Sequence, residues 1–260
     1  MRSSLFGIMK KRKIRKKLIK EHKGAKRRLQ GFNKNGDQEQ LHKFRVGIKK
    51  LRAVASLIAA TTDRDRLNQD LKQVKKTYQL SGKVRDSHLQ IKLAEEVAAS
   101  DNYISEEKLV LKKAARKLRK GRSYHLKALR RSQKKMLKHV PGARNKSINL
   151  FYDNEFHAIH LCLNSSNDVE ALHGCRKRLK VLIYNLPLVK PILKLSVNEE
   201  YLQQVQTAIG DWHDNVLAAE QFPELSKNSK ALFKEMQQLV KQFYQKAVNN
   251  EDKLIERKLD

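Results

Sequence analysis

The residues of this chain that could grip or transform an anion fall into a repeated pattern. The segment LHKFRVGIKKLRA, Leu41 to Ala53, sets one histidine among five cations and contains no carboxylate. A second segment, LHGCRKRLKVLIY from Leu172, aligns with it, placing His42 on His173, Arg45 on Arg176 and Lys49 on Lys180. An echo follows each copy. LSGKVRDSHL (Leu80 to Leu89) and AIGDWHDNVL (Ala208 to Leu217) match Gly82 with Gly210 and Asp86 with Asp214. Two motifs in the same order, twice, predict two related halves joined near Val140 to Ser147.

Several residues could in principle support catalysis. His213-Asp214 has the look of a metal-dependent phosphohydrolase dyad, but its repeat partner is Arg85-Asp86, which cannot ligate metal in the same way. The aspartate common to both copies is expected to cap a helix or pair with a cation. His157 and His160 sit at i, i+3 without a third ligand. The acid pairs Glu95-Glu96, Glu106-Glu107 and Glu199-Glu200 lack the motif that Mg²⁺-assisted phosphoryl transfer requires, and no Gly-rich phosphate loop occurs. The expectation is a protein that binds without catalysis, with no metal and no cofactor. Among cations, imidazolium formation is disfavoured, so His42 and His173 are expected to be mostly neutral, as phosphate donors or as partners in a structural hydrogen bond.

Such side chains need a rigid carrier. At 100° per residue His42, Arg45, Lys49 and Arg52 share a sector of about 80°. Leu41, Phe44, Ile48, Leu51, Ala55 and Ile58 cover the adjoining arc as a core face. In the second copy His173, Arg176, Lys177 and Lys180 share the polar sector while Leu172, Cys175, Leu179 and Leu182 face inward. Each ladder places cations about 5.4 Å apart, a spacing suited to successive anionic groups of a polymer. Arg grips phosphate oxygens bidentately and Lys acts as a mobile point charge. Further ladders follow from periodicity: Lys13, Lys16, Lys17 and Lys20; Lys113, Arg116, Lys117 and Lys120; Lys127, Arg130, Arg131, Lys134 and Lys138. About half of these are expected to face the ligand, with Arg116, Arg130 and Lys134 chosen as candidates.

Composition points the same way. Lys and Arg number 57 against 27 Asp and Glu, a formal charge of +30 over 260 residues. Self-repulsion at that level destabilises a compact chain unless anions condense on it, so a polyanionic partner is expected. With 40% hydrophobic residues the chain is too apolar for a disordered basic tail. From Lys108 to Lys146 there are 16 cations and no acid, whereas from Glu199 onward eight cations face eleven acids. The C-terminal segment is therefore expected to be scaffold.

Helix formers fill long stretches interrupted by only four prolines and ten glycines, and period-two alternation is missing, so the predicted class is all-α. Breaks are expected at GFNKNGD (Gly31 to Asp37, with Asp37 as N-cap), TTDRD (Thr61 to Asp65), Gly82, SDNYISEE (Ser100 to Glu107), Gly121 and VPGARNKS (Val140 to Ser147). Later ones are expected at NSSND (Asn164 to Asp168), NLPLVKP (Asn185 to Pro191), Gly210 and KNS (Lys227 to Ser229). Cys162 and Cys175 are read as free buried thiols. The N-terminus MRSSLFGIMKKRKIRKK has its apolar run before its charges, the reverse of a secretory signal. No stretch approaches the ~20 residues of a membrane span, so a soluble, cytoplasmic protein is expected.

The spacings HxxRVxxxKxLR (His42 to Arg52) and HxxRxxxK (His173 to Lys180), with the paired Gly-x-x-x-Asp segments, resemble the CHAD family, the conserved histidine α-helical domain. The resemblance spans nearly the whole chain, as a single domain over 8–258 with halves of about 10–140 and 147–258. It implies two pseudo-symmetric four-helix bundles enclosing a basic central groove or pore. It also implies non-enzymatic binding of inorganic polyphosphate, with targeting to polyphosphate granules among the roles. Carried over by position, the ligand residues are His42, Arg45, Lys49, Lys50 and Arg52, then His173, Arg176, Lys177 and Lys180. The second copy departs from the pattern at Val181 and Ile183, where the family tends to continue with cations, and Gly47 and Gly174 inside the motifs are unexpected. A nucleic-acid-binding architectural protein is the second reading, allowed by charge; a phosphoanhydride hydrolase is third.

Overall fold

Apolar residues at spacings of three and four (Ile14, Leu18, Ala25, Leu29, Phe32) give the first helix a single inward stripe, and all five are buried in the computed structural model. The structure describes residues 7–165 and 168–249. Helix α1 (Lys11–Asn35) ends at Gly36, whose φ of 78° is a left-handed conformation suited to glycine. Asp37 then starts α2 (Gln38–Thr62), its carboxylate accepting the N–H groups of Glu39 and Gln40, as expected of an N-cap. The break is narrower than GFNKNGD, because Gly31 stays helical. Asp63, at φ 53°, ends α2. Helix α3 (Arg66–Leu71), a 3-10 turn (Lys72–Val74) and α4 (Lys75–Glu96) follow, then α5 (Asp101–Lys120) and α6 (Arg122–His139).

Two expected breaks in this part take another form. Gly82 lies inside α4 and is buried. SDNYISEE is helical from Asp101 because Ser100 caps α5 by accepting the Tyr103 N–H. At Gly121 the chain breaks as expected, between α5 and α6, with Gly121 N–H bonded to Lys117 O and His125 N–H to Gly121 O.

Residues Lys10–Gly142 form one compact unit. In it α1 packs on α2, α4 on α5, α2 on α3 and α4, and α6 on α1 and α3. Buried polar pairs hold specific helices together. His139 Nδ1 meets Asp70 Oδ2 at 2.7 Å, His125 Nδ1 meets Thr77 Oγ1 at 2.8 Å, and His22 Nε2 meets Ser132 Oγ at 3.4 Å. Burial pushes the His22 and His125 imidazoles below the usual histidine range.

The second unit gathers the described residues from Ala143 onward with those before Lys10. Strand β1 (Ile8–Met9) pairs antiparallel with β2 (Ala143–Arg144), and β3 (Ser196–Val197) with β4 (Val248–Asn249). These two-residue ladders are the strands among the described residues, and the class is all-α as expected. Helices α7 (Asn145–Ser165), α8 (Val169–Val189), α9 (Glu199–Gln221), α10 (Ser226–Val240) and α11 (Phe243–Ala247) complete the unit. Here α8 packs on α7 and α9, and α10 on α9. Tyr152, Phe156 and Phe243 are fully buried.

Helix α8 runs through Pro187, so the break at NLPLVKP comes later than its first residues suggest. Tyr152 Oη and Asn185 Nδ2 donate to the carbonyls of Leu182 and Val181 in that last stretch. Gly210 is buried within α9, and KNS lies inside α10; the chain turns instead at Pro223 and at Gln242, where φ is 60°. NSSND falls partly outside the described residues, as do the first six residues of the N-terminal run and the last acids of the chain.

The expectation of two free thiols is overturned. Cys162 on α7 and Cys175 on α8 are joined as a disulfide, their Cα atoms 6.6 Å apart. Sequence spacing did not reveal that the two positions face each other across adjacent helices. Among the described residues no helix is long and apolar enough to cross a membrane.

Gly174 carries a separate prediction. A Cβ built there meets nothing within 4 Å, so nothing compensates a helix-interior glycine. Gly174→Ala should therefore raise unfolding stability by about 0.5–1 kcal/mol in urea titration, with an unchanged m value. Gly47 is the contrast, since a Cβ there would lie 3.5 Å from Ala25 Cβ, already in contact.

Candidate functional site

Helix α2 is fixed by Leu41, Phe44, Ile48 and Leu51, all without exposure, which leaves its cations on the other arc. His42 and Arg52 are exposed there, and Arg45, Lys49 and Lys50 are half-buried. Arg45 does not extend freely. Its Nη1 donates to Tyr78 O at 3.0 Å, Ser81 Oγ lies 3.5 Å away, and the guanidinium sits 4.5 Å from the Tyr78 ring centre. Arg52 lies 4.1 Å from the same ring. None of these partners carries negative charge, so these contacts do not neutralise either guanidinium.

Gly82 makes this seat. A Cβ at Gly82 would lie 2.7 Å from Arg45 Nη1, closer than side-chain carbons approach. The second unit repeats the arrangement. A Cβ at Gly210 of α9 would overlap Arg176 Nη2 and lie 2.8 Å from its Nε. The two glycines that the repeat brought into register are thus beds for the two arginines brought into register with each other. That function explains why both tolerate a helix interior, where glycine costs about 0.5–1 kcal/mol against alanine.

The second seat has an additional carboxylate. Arg176, with 17% of its side chain exposed, lies 3.7 Å from Oδ1 of Asp214, which is 70% exposed. The same oxygen is 3.4 Å from His213 Nδ1. Here Asp214 is an ion-pair partner of a motif cation, one of the two roles foreseen for it. The His213 ring, 8% exposed, stacks on His173 at 4.2 Å with 25° between planes. In this unit Lys177 is exposed and Lys180 half-buried.

Both motif histidines have lowered affinity for protons, as expected. For His42 the causes are loss of water around the ring, then Arg85, with Lys49 and Arg45 adding and Glu39 opposing. For His173 they are burial, then His213, Lys177 and Arg176, with Glu170 opposing. The surrounding cations matter, but desolvation comes first.

The remaining candidates are carried elsewhere on the helices. Arg116 on α5 and Arg130 and Lys134 on α6 are exposed. Lys127 and Arg131 line a cavity of about 260 Å³ with Gln73, Tyr124 and Ala128. Lys17, from the first ladder, pairs with Glu21 at 3.1 Å. His157 and His160 stand beside Tyr244, and among the described residues no three His, Cys, Asp or Glu side chains gather as a metal site.

Sequence reasoning missed Tyr78, Arg85 and His213 as neighbours of the motif. A signal existed, since Tyr78, Gly82 and Arg85 fall at spacings of four and three on one face of α4.

Comparison with known proteins adds to this geometry. The family profile described as "CHAD domain" matches residues 16–223. The chain is similar to a solved structure titled as the CHAD domain from the plant Ricinus communis, at 17% identity and a TM-score of 0.60, covering 88% of this chain and 86% of the other. No curated protein matches the chain.

The seats predict an outcome opposite to that at Gly174. The helix gain of up to about 1 kcal/mol should be cancelled or exceeded in Gly82→Ala by loss of Arg45's hydrogen bonds, each contributing about 1 kcal/mol, and in Gly210→Ala by loss of Arg176's packing and its pairing with Asp214. Urea titration should show no gain in stability for either variant. A gain of the size expected for Gly174→Ala would mean that the arginines move aside without cost.

Proposed function

The chain belongs to the CHAD family, and on that premise we propose that it binds inorganic polyphosphate without catalysing its breakdown. The observation that carries the reading is the repetition, once in each unit, of a cation-bearing helix whose leading arginine is held over a glycine. A seated guanidinium has already lost much of its rotamer freedom, so less is lost when phosphate arrives. Exposed neighbours on the same helix, Arg52 in one unit and Lys177 in the other, supply further charge.

Binding is additive over phosphates. His42, Arg45, Lys49, Lys50 and Arg52 act from α2, and His173, Arg176, Lys177 and Lys180 from α8. Arg116, Arg130 and Lys134 extend the basic surface over a stretch without acids. Each phosphate neutralised releases condensed counterion, so affinity is steeply salt-dependent and grows with chain length. In the second unit phosphate competes with Asp214 for Arg176, whereas the contacts named for Arg45 are a carbonyl, a hydroxyl and a ring. Delivery to polyphosphate granules is the cellular role this chemistry suits.

A competition assay on the purified chain tests the reading. Long-chain polyphosphate should displace a labelled polyphosphate far better than orthophosphate, ATP or duplex DNA at matched phosphate concentration. By analogy with DNA, the logarithm of affinity should fall with the logarithm of salt by about 0.9 per phosphate neutralised. Equal competition by DNA would favour an architectural nucleic-acid role, and indifference to chain length would refute a polymer ligand. Phosphate release dependent on Mg²⁺ and lost in Asp214→Ala would favour the hydrolase.

A further inference from the structure

The two seats differ at one position. Three residues after Gly82 stands Arg85, the neighbour that most strongly opposes protonation of His42 after desolvation. Three residues after Gly210 stands His213, stacked on His173. Arg85 and His213 thus occupy the same register of α4 and α9 and flank the equivalent histidines of α2 and α8. One is permanently charged; the other carries charge only when protonated.

The groups around His213 can be enumerated by element. Helix α8 stacks His173 on it, and Arg176, Lys177 and Glu170 of the same helix act on the His173 ring. Helix α9 itself contributes Asp214. Toward α10 the contacts are uncharged, Trp212 against Phe233 at 5.2 Å and Asn215 against Ser229 at 2.8 Å. Helix α11 meets α9 through Phe243 against Tyr201. The 3-10 turn Pro223–Leu225 follows at the far end of the helix. The stacked pair thus has Arg176 and Lys177 acting on its His173 ring and one exposed carboxylate, Asp214, beside His213. The Nδ1 of His173 and the Nε of Arg176 are both buried without a hydrogen-bond partner. Two such atoms side by side leave polar capacity that the protein's own residues do not fill.

We propose that Arg85 and His213 are equivalent phosphate-binding positions of the two units, and that the His173–His213 pair takes up a proton when polyphosphate binds. The inference rests on the polyphosphate reading and deepens it. In the free chain, burial and then the neighbouring His213, Lys177 and Arg176 lower the proton affinity of the His173 ring. A bound polyanion reverses the local field, so the complex holds more protons than the free protein. By linkage, affinity then rises as pH falls through the interval between the pair's titration in the complex and in the free chain, and levels off below it. The first unit contributes less to this dependence, because Arg85 is charged throughout.

The test is the affinity of the full chain for long-chain polyphosphate from about pH 8 down to about pH 5 at constant ionic strength. The wild-type chain should bind more tightly as pH falls, by up to about tenfold per pH unit for each proton taken up. His213→Arg, which writes the first unit's residue into the second, should flatten that dependence while binding at pH 8 at least as tightly as wild type. Arg85→His should steepen it and weaken binding at pH 8. Both variants are checked for native circular dichroism, and the second keeps the test decisive if the first misfolds. An unchanged pH slope in a folded variant, or loss of binding by folded His213→Arg at pH 8, would overturn the proposal. Failure of the wild-type chain to bind polyphosphate at every pH would instead overturn the function from which the proposal starts.

Discussion

A guanidinium resting where a side-chain carbon would otherwise be is the contact on which the candidate site depends. Arg45 over Gly82 and Arg176 over Gly210 join the motif helix of each unit to its neighbour. Without the seat, a long cationic side chain would be free to swing through solvent, and its ordering entropy would be lost only on binding. With it, the leading cation of each ladder is fixed, and the apolar stripe beneath the helix fixes the rest. The same contact accounts for the glycine of the Gly-x-x-x-Asp echo, and in the second unit the aspartate stands next to the seated arginine.

Charge is the second constraint. A chain with a formal charge of +30 must hold its cations apart or neutralise them. The exposed ion pairs do little of that. Lys43–Glu39 and Lys108–Glu95 are exposed, and pairs of this kind contribute about 0–1 kcal/mol. Stability comes instead from the buried stripes of α1, α2, α7 and α8 and from polar pairs such as His139–Asp70. The basic faces are thereby left for a ligand. An arrangement in which the core carries stability and the surface carries unneutralised charge is what a polyanion-binding scaffold requires.

Much of this was legible in the sequence wherever one local rule decides the outcome. Spacings of three and four placed Leu41, Phe44, Ile48 and Leu51 inside, and an aspartate before a helical stretch marked the cap at Asp37. Where one residue type serves two purposes, local reading failed. Gly82 and Gly210 read as breakers, yet they are seats, because only the partner helix shows what lies above them. Pro187 was tolerated near the end of α8, where few backbone bonds remain to be lost. Cys162 and Cys175 share no motif, and their meeting depends on how α7 faces α8. Arg85 and His213 were aligned by the repeat, but that they stand beside the motif histidines depends on how α4 faces α2 and α9 faces α8.

The central claim is that binding follows from the cations of the two motif helices and not from total charge. It is tested most directly by charge reversal at exposed positions that leave both seats intact. Arg52→Glu with Lys177→Glu alters one motif helix in each unit; Lys230→Glu with Lys241→Glu makes the same change in net charge on and just after α10. At fixed salt the first pair should weaken polyphosphate binding by at least tenfold relative to the second, a difference of about 1.4 kcal/mol. Equal losses in the two double variants would contradict the account.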